Sequence, residues 1–376
     1  MMHLKEVINS ADSKQFLELP AFINRGNQNY IHPLNSDIES VFDRSKNAFF
    51  KKGDGNRWNL YDAKGDIIGR IAAFYHFDEK RGENRGGFGF FECIDEQEAA
   101  NLLFDQAKTW LQANGLNHME GPINFGTRDH WWGLLIEGFY PPVYGMFYHP
   151  PYYQLLFKQY SFEVLFEQYT YRRKISAAFS PAVLRRAGRI QQDPNYRFED
   201  ISGLSENELV TYFIEVYNAA WRDFDGVNAL SRAEVAQLIT HMRPAIDKKI
   251  IWFSYFKDQP IGFFINLPDL NQLLVKFLRQ GSLNICQKIR FLYRKTTRKC
   301  TTMVGMVFGI HPDYQGRGVE SALIVNFANS VSKLGPHAYQ EIQMNWIGSF
   351  NTKMIAVVES LGAERYKTHC TYRLTF

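Results

Sequence analysis

Hydrophobic residues recur along this chain at two spacings, every second residue and every third to fourth, and stretches of the two kinds alternate from end to end. The opening LKEVI reads as a short strand, and Asp12 or Ser13 is placed to cap a helix bearing Phe16, Leu17 and Leu19. A short helix is expected at Asp37 to Phe42. RWNLYD and IIGRIAAFY, joined through Ala63-Lys64-Gly65-Asp66, predict a hairpin from Arg57 to Tyr75. Asp78 to Gly87 is charged and glycine-rich and reads as a solvated loop. FGFFECI is the next strand, and Asp95 with Glu98 resembles a capping box opening a helix that ends at Asn114-Gly115. After a segment dense in Gly, Pro and aromatics come a helix around Pro151 to Tyr160 and the strand VLFEQYTYRRK. Ser180-Pro181 opens a linker helix, with Pro at its first position, that reaches about Gln191.

Asp193-Pro194-Asn195 marks a boundary, and the second half restarts with the strand YRFEDI. Two capping boxes, Ser205 with Glu208 and Ser231 with Glu234, open the helices LVTYFIEVYNAAW and VAQLITHM. IIWFSYF and IGFFINL form a second hairpin, and Leu270 to Tyr293 is a mostly helical insertion. Then comes MVGMVFGI, apolar enough for a strand covered on both faces. Pro312 ends its ladder, having no N–H to donate. Gln315-Gly316-Arg317-Gly318 lets the backbone pass close to a ligand, and a helix follows at once, with Leu323, Ile324 and Phe327 on its apolar stripe. Unpaired N–H groups at a helix start make an anion cradle. The pattern is neither G-x-G-x-x-G nor a P-loop.

The halves repeat one another. Trp58 precedes Gly69 as Trp252 precedes Gly262, and Ser161 leads to Tyr171 as Gly362 leads to Tyr372. Where the glycine turn should stand, the first half has FECIDEQEAANLL. The expected fold class is α/β with mixed sheets, as two units in tandem: residues 1–175, a linker helix at 176–195, and 196–376.

Bulk composition narrows the classes. With 376 residues, 45% hydrophobic and 15% aromatic, the chain can bury two cores. A net charge of +4 permits an acidic ligand without announcing nucleic-acid binding. Cys93, Cys286, Cys300 and Cys370 are too scattered for a zinc site or a disulfide framework, which suits a reducing cytoplasm. No apolar run approaches the ~20 residues of a membrane span, and no histidine pair has metal-ligand spacing, so neither a transmembrane segment nor a metal is expected.

Strand, x-P-x-Y-Q-G-x-G-V and helix together resemble motif A of the GNAT acyltransferase superfamily, and the strand–helix–strand order through to TYRLTF resembles its closing segment. The resemblance implies that Gln315, Gly316, Arg317, Gly318 and Val319 hold the pyrophosphate of acetyl-CoA or another acyl-CoA. It also implies that the backbone of Phe308, Gly309 and Ile310 polarises the thioester, and that Asn351 opens the last helix beside the cofactor. Glu320 departs from the pattern, standing where the family has Gly or Ala. A carboxylate there favours the helix start by roughly 0.3–1 kcal/mol but repels a diphosphate. The tandem plan is similar to that of N-myristoyltransferase, mycothiol synthase and the Fem peptidyltransferases, with a first copy lacking the CoA motif.

Acyl transfer by direct attack on an amine asks for a base and a proton donor rather than a nucleophilic Ser or Cys. Strand alternation puts Glu341, Gln343 and Asn345 on one side and Ile342, Met344 and Trp346 on the other. Glu341 is the candidate base, or a solvated strand-end carboxylate, and Asn345 on the same side is a candidate substrate contact. Tyr366 is the candidate acid, with Tyr372 set aside because it repeats at Tyr171. Trp221 and Asp223 grip a cationic amine, or Trp221 anchors the core. His130, in Arg128-Asp129-His130-Trp131-Trp132, lines the acceptor pocket or packs between the halves. KIRFLYRKTTRK, from Lys288 to Lys299, has six cations and no acid. The expected activity is N-acylation of a small-molecule or peptide amine from an acyl-CoA, acetyl-CoA first. A Fem-like aminoacyl transferase and a non-catalytic GNAT-like binding protein remain as alternatives.

Overall fold

The computed structural model describes the whole chain except residues 80–81, 129, 223–228, 275–283, 298–299 and 336. The first half runs β1 His3–Glu6, α1 Ser10–Ile23, α2 Asn35–Phe42, β2 Gly53–Tyr61, β3 Ile67–Asp78, β4 Glu83–Cys93 and α3 Gln97–Ala113. It continues through β5 His118–Gly121, β6 Leu134–Glu137, α4 Tyr153–Gln159 and β7 Glu163–Lys174. After α5 Pro181–Gln191 come β8 Tyr196–Asp200, α6 Glu206–Ala220, α7 Arg232–Met242, β9 Ile251–Phe256 and β10 Gln259–Pro268. The chain ends with α8 Leu270–Leu274, α9 Ile285–Thr296, β11 Thr302–Ile310, α10 Val319–Val331, β12 Glu341–Gly348, α11 Thr352–Ser360 and β13 Glu364–Thr375.

Most local signals act as expected. Ser205 and Ser231 form capping boxes with Glu208 and Glu234, and Ser180 caps α5 ahead of Pro181. Three differ. Asn9, not Asp12 or Ser13, caps α1, because its Oδ1 accepts from the N–H groups of Ala11 and Asp12, while buried Asp12 takes the ammonium of Lys5 at 2.5 Å. The 78–87 stretch is no long loop: β3 and β4 pair out to Asp78 and Glu83. Glu96 precedes α3 without a side-chain cap, so the Asp95–Glu98 pattern does not form a box.

The strands join into one thirteen-stranded sheet of order β1-β2-β3-β4-β5-β13-β7-β12-β11-β10-β9-β8, with β6 off this path on β13. The order reads alike from both ends, as two copies of a unit require. At the centre the copies trade strands. β13, the end of the second half, pairs with β5 of the first, and β7, the end of the first half, pairs with β12 of the second. Packing follows the exchange: Tyr171 and Ile175 sit in the core under α10, whereas Cys370 and Tyr372 sit in the core under α3. Each core therefore includes a strand from the other half of the sequence.

A charged clamp marks one seam. Glu120 on β5, about 4% exposed, accepts from Arg85 on β4 at 2.7 Å and from Arg373 on β13. Burial alone would raise its pKa, but the two guanidiniums outweigh that and hold it below the ordinary carboxylate value.

Fragments 1–175 and 196–376, made separately, are expected to lack cooperative unfolding in urea, and co-expression is expected to restore it. Two independently cooperative fragments would contradict the shared cores. A lowered folded pKa means that Glu120 contributes stability above the unfolded carboxylate pKa and loses it as pH falls through the folded value. Glu120→Gln should cost roughly 1–3 kcal/mol at neutral pH and flatten the acid limb of a stability–pH curve.

Candidate functional site

β11 and β12 run parallel and pair only from Thr302–Glu341 to Gly305–Met344. Beyond that they part: β11 continues on β10 to Ile310, and β12 continues on β7 to Gly348. A wedge opens between them, with no strand among the described residues on that edge of residues 306–310. Antiparallel pairing turns alternate residues toward the partner strand. The bond from His311 N–H to Ile261 O at 2.8 Å sets the parity, so the N–H groups of Phe308 and Ile310 face the wedge.

The glycine turn closes its far end. Gln315 Nε2 donates to Ile310 O at 2.9 Å, stapling turn to strand. Gly316 and Gly318 take φ of 71° and 99°, a region costly for any side chain. A Cβ on Gly318 would also meet the Arg186 carbonyl oxygen on α5 at 3.3 Å. No side chain caps α10, and its first helical bond, Ala322 N–H to Gly318 O, leaves the amides of Val319, Glu320 and Ser321 aimed outward. Val319 itself is in the core, so only its N–H is on offer, and Arg317 is exposed with its guanidinium over the Tyr314 ring. The turn fits a diphosphate by its backbone. Glu320, half-buried on the first turn, opposes one by charge.

Both halves wall the wedge. Trp221 lies flat near Phe263 and Tyr217, and a Cβ on Gly309 would fall 2.6 Å from its ring. Val143 and Met146 of the first half pack on Val304 and Met306. His130 sits against Gly145 and near the Tyr144 ring, behind that loop. Trp346 departs from its expected side: an irregularity between Met344 and Ile347 turns it toward the first half, where Nε1 donates to Arg128 O at 2.6 Å. Asp223 and Asp129 lie outside the described residues.

The remaining sequence candidates take up other positions. Asn351 uses its Oδ1 to cap α11 at Met354 N–H. Asn345 accepts from Thr170 Oγ1 at 3.1 Å. Glu341 lies beside Thr302, six residues before Phe308 on the neighbouring strand, or about 20 Å down β11; its carboxylate accepts from Thr302 and Gln343 at 3.1 Å. Tyr366 stacks on Tyr140 at 4.3 Å with the Arg172 guanidinium 4.1 Å from its ring centre, and burial pushes its hydroxyl pKa up. Neither of these two reaches the wedge tip.

Sequence reading missed a polar cluster at the seam. Lys367 is buried, donates to Pro141 O at 2.7 Å, and has its pKa lowered by burial to about 8. Asp269, also buried, accepts from the Tyr144 and Asn271 amides and is raised by burial to about 6. Together they hold the 139–147 loop onto the second half, beside a narrow apolar-walled space lined by Leu135, Tyr140, Val143, Met146 and Asn345. The one available signal was a lysine within the strand ERYKTHCTYRLT.

The first half has the same parallel pair in β4 and β5, but its wedge is filled. Ile123 N–H donates to Phe88 O at 2.8 Å, and a Cβ on Gly89 would stand 1.9 Å from Ile123 O. Phe125 follows, stacked on Phe74. Among the described residues, no three His, Cys, Asp or Glu side chains gather as metal ligands, and no helix is long and apolar enough to cross a membrane.

A parallel strand pair that occurs twice, filled in the first half and open over a glycine turn in the second, is the arrangement of the tandem GNAT fold. A tandem GNAT protein from the clavulanic acid biosynthesis pathway superposes with a TM-score of 0.60 over 100% of this chain and 98% of its own, at 10% identity. No family model matches. Among curated proteins, the chain is 26% identical to "Bacterial ceramide synthase" of Caulobacter vibrioides, covering 96% of this chain and 94% of the relative. It is 24% identical to "Protein YghO" of Escherichia coli, covering 98% and 94%.

Gly309→Ala should cost roughly 1–3 kcal/mol by driving Cβ into the Trp221 ring. Most of that cost should vanish in a Trp221→Ala background. Urea unfolding of both single variants and the double variant measures the coupling; additive losses would mean the ring does not rest on Gly309.

Proposed function

We propose that the protein is an acyl-CoA-dependent N-acyltransferase whose acceptor is an amine borne on a long apolar chain. The observation that carries this is the open edge of β11 running into the uncapped start of α10. It offers the N–H groups of Phe308 and Ile310 and, past the glycine turn, those of residues 319–321. An acyl-CoA bound there supplies the acyl group as a thioester. Phe308 and Ile310 orient its amide and carbonyl oxygens, and the turn receives the diphosphate. Trp221, Met306 and the 143–146 loop exclude water from the face where the amine enters. The name of the Caulobacter relative supports the acceptor class, since ceramide formation joins an acyl group to the nitrogen of a long-chain amino alcohol.

Calorimetry should show one site per chain for acetyl-CoA or a long-chain acyl-CoA. Mass spectrometry should then find an amide on a long-chain amino alcohol in preference to short polar amines. Absence of heat with every acyl-CoA would remove the reading. Glu320→Ala should tighten donor binding by about threefold to tenfold, since one like charge near 4 Å is worth ~1 kcal/mol even in water. Glu320 also favours a second reading, a binding protein that has left the cofactor. Its mark would be donor affinity that appears only in Glu320→Ala.

A further inference from the structure

We propose that α9 seats the protein on an anionic lipid bilayer. At 100° per residue, Ile285, Ile289, Leu292, Tyr293 and Thr296 fall on one side of this helix and Phe291, Arg294 and Lys295 on the other. The second side faces the protein: Phe291 packs on the core under α10, and Arg294 Nη2 donates to Gln272 O at 3.1 Å. The apolar side faces outward, with Ile285 70%, Ile289 63%, Leu292 51% and Tyr293 57% exposed. Single exposed apolar residues are ordinary, but a helix that turns its whole apolar stripe away from its own domain is built for an external surface.

Charge selects the surface. Lys288 and Arg290, both exposed, flank the stripe, and no acid occurs from Asn284 to Thr297. Two copies of α9 set face to face would bring cation against cation, whereas anionic headgroups complement both the rim and the stripe. The helix is twelve residues long, about 18 Å, too short to cross a bilayer, so it lies in the interface plane. A capping box of Asn284 with Gln287 closes its start. None of this depends on the catalytic reading.

The test is flotation of the full chain with vesicles of phosphatidylcholine alone or mixed with phosphatidylglycerol. Expected is binding to the mixed vesicles that weakens with added salt, and little binding to the neutral ones. Ile289→Asp and Lys288→Glu, both at exposed positions, should each reduce binding at least about tenfold, with the melting temperature unchanged. No binding to mixed vesicles, or binding that Ile289→Asp leaves intact, overturns the proposal. So does a dimer in size-exclusion chromatography that Ile289→Asp dissolves, since a second copy would then be the cover.

Discussion

The pairing of β13 with β7 at the middle of the sheet is the constraint on which the rest depends. It fixes the two halves in one orientation, and it does so with the backbone ladder rather than with surface contacts. Because β7 lies beside β12, the second half's parallel pair keeps a full strand behind it while its front opens. Because β13 lies beside β5, the first half is completed by the same exchange. The 139–147 loop can then reach across and pack on β11, held by the Asp269 carboxylate and the Lys367 ammonium.

Two wedges of one plan thus differ in what fills them. In the second half, Gly309 lets the Trp221 ring lie against the strand, Gly318 lets α5 approach the turn, and Gly316 borders open space. In the first half, Ile123 and Phe125 fill the corresponding space. Among the described residues the second half's wedge is the open one, and the first copy acts as its wall. Stability and site are linked through that wall, since Val143, Met146 and Arg128 all come from it.

Much of this was legible in the sequence. Hairpins, capping boxes and the glycine turn are local, and local signals survive folding: Ser205, Ser231, Pro181 and Gly318 all act where their residue types place them. Strand alternation also put Glu341, Gln343 and Asn345 together. It failed at Trp346, because an irregularity in pairing with β7 is a property of the partner strand, not of YQEIQMNWI itself. The strand exchange was invisible for a like reason: Tyr171 and Tyr372 match in spacing, but spacing does not say whose core each enters. Glu341 was a candidate base by residue type and strand alternation, but only register shows that it stands six residues down β11 from Phe308.

The exchange also sets an order of events. Cys370 and Tyr372, which fill the core under α3, are made more than 250 residues after α3 itself. Until β13 arrives, β5 exposes an edge and the aromatic core around Phe88 and Phe157 lacks a side. Contacts of such long sequence separation form slowly, and unpaired edges invite wrong partners. The nascent first half therefore stays unfinished until β13 has been made, and its core waits on a strand from the other half.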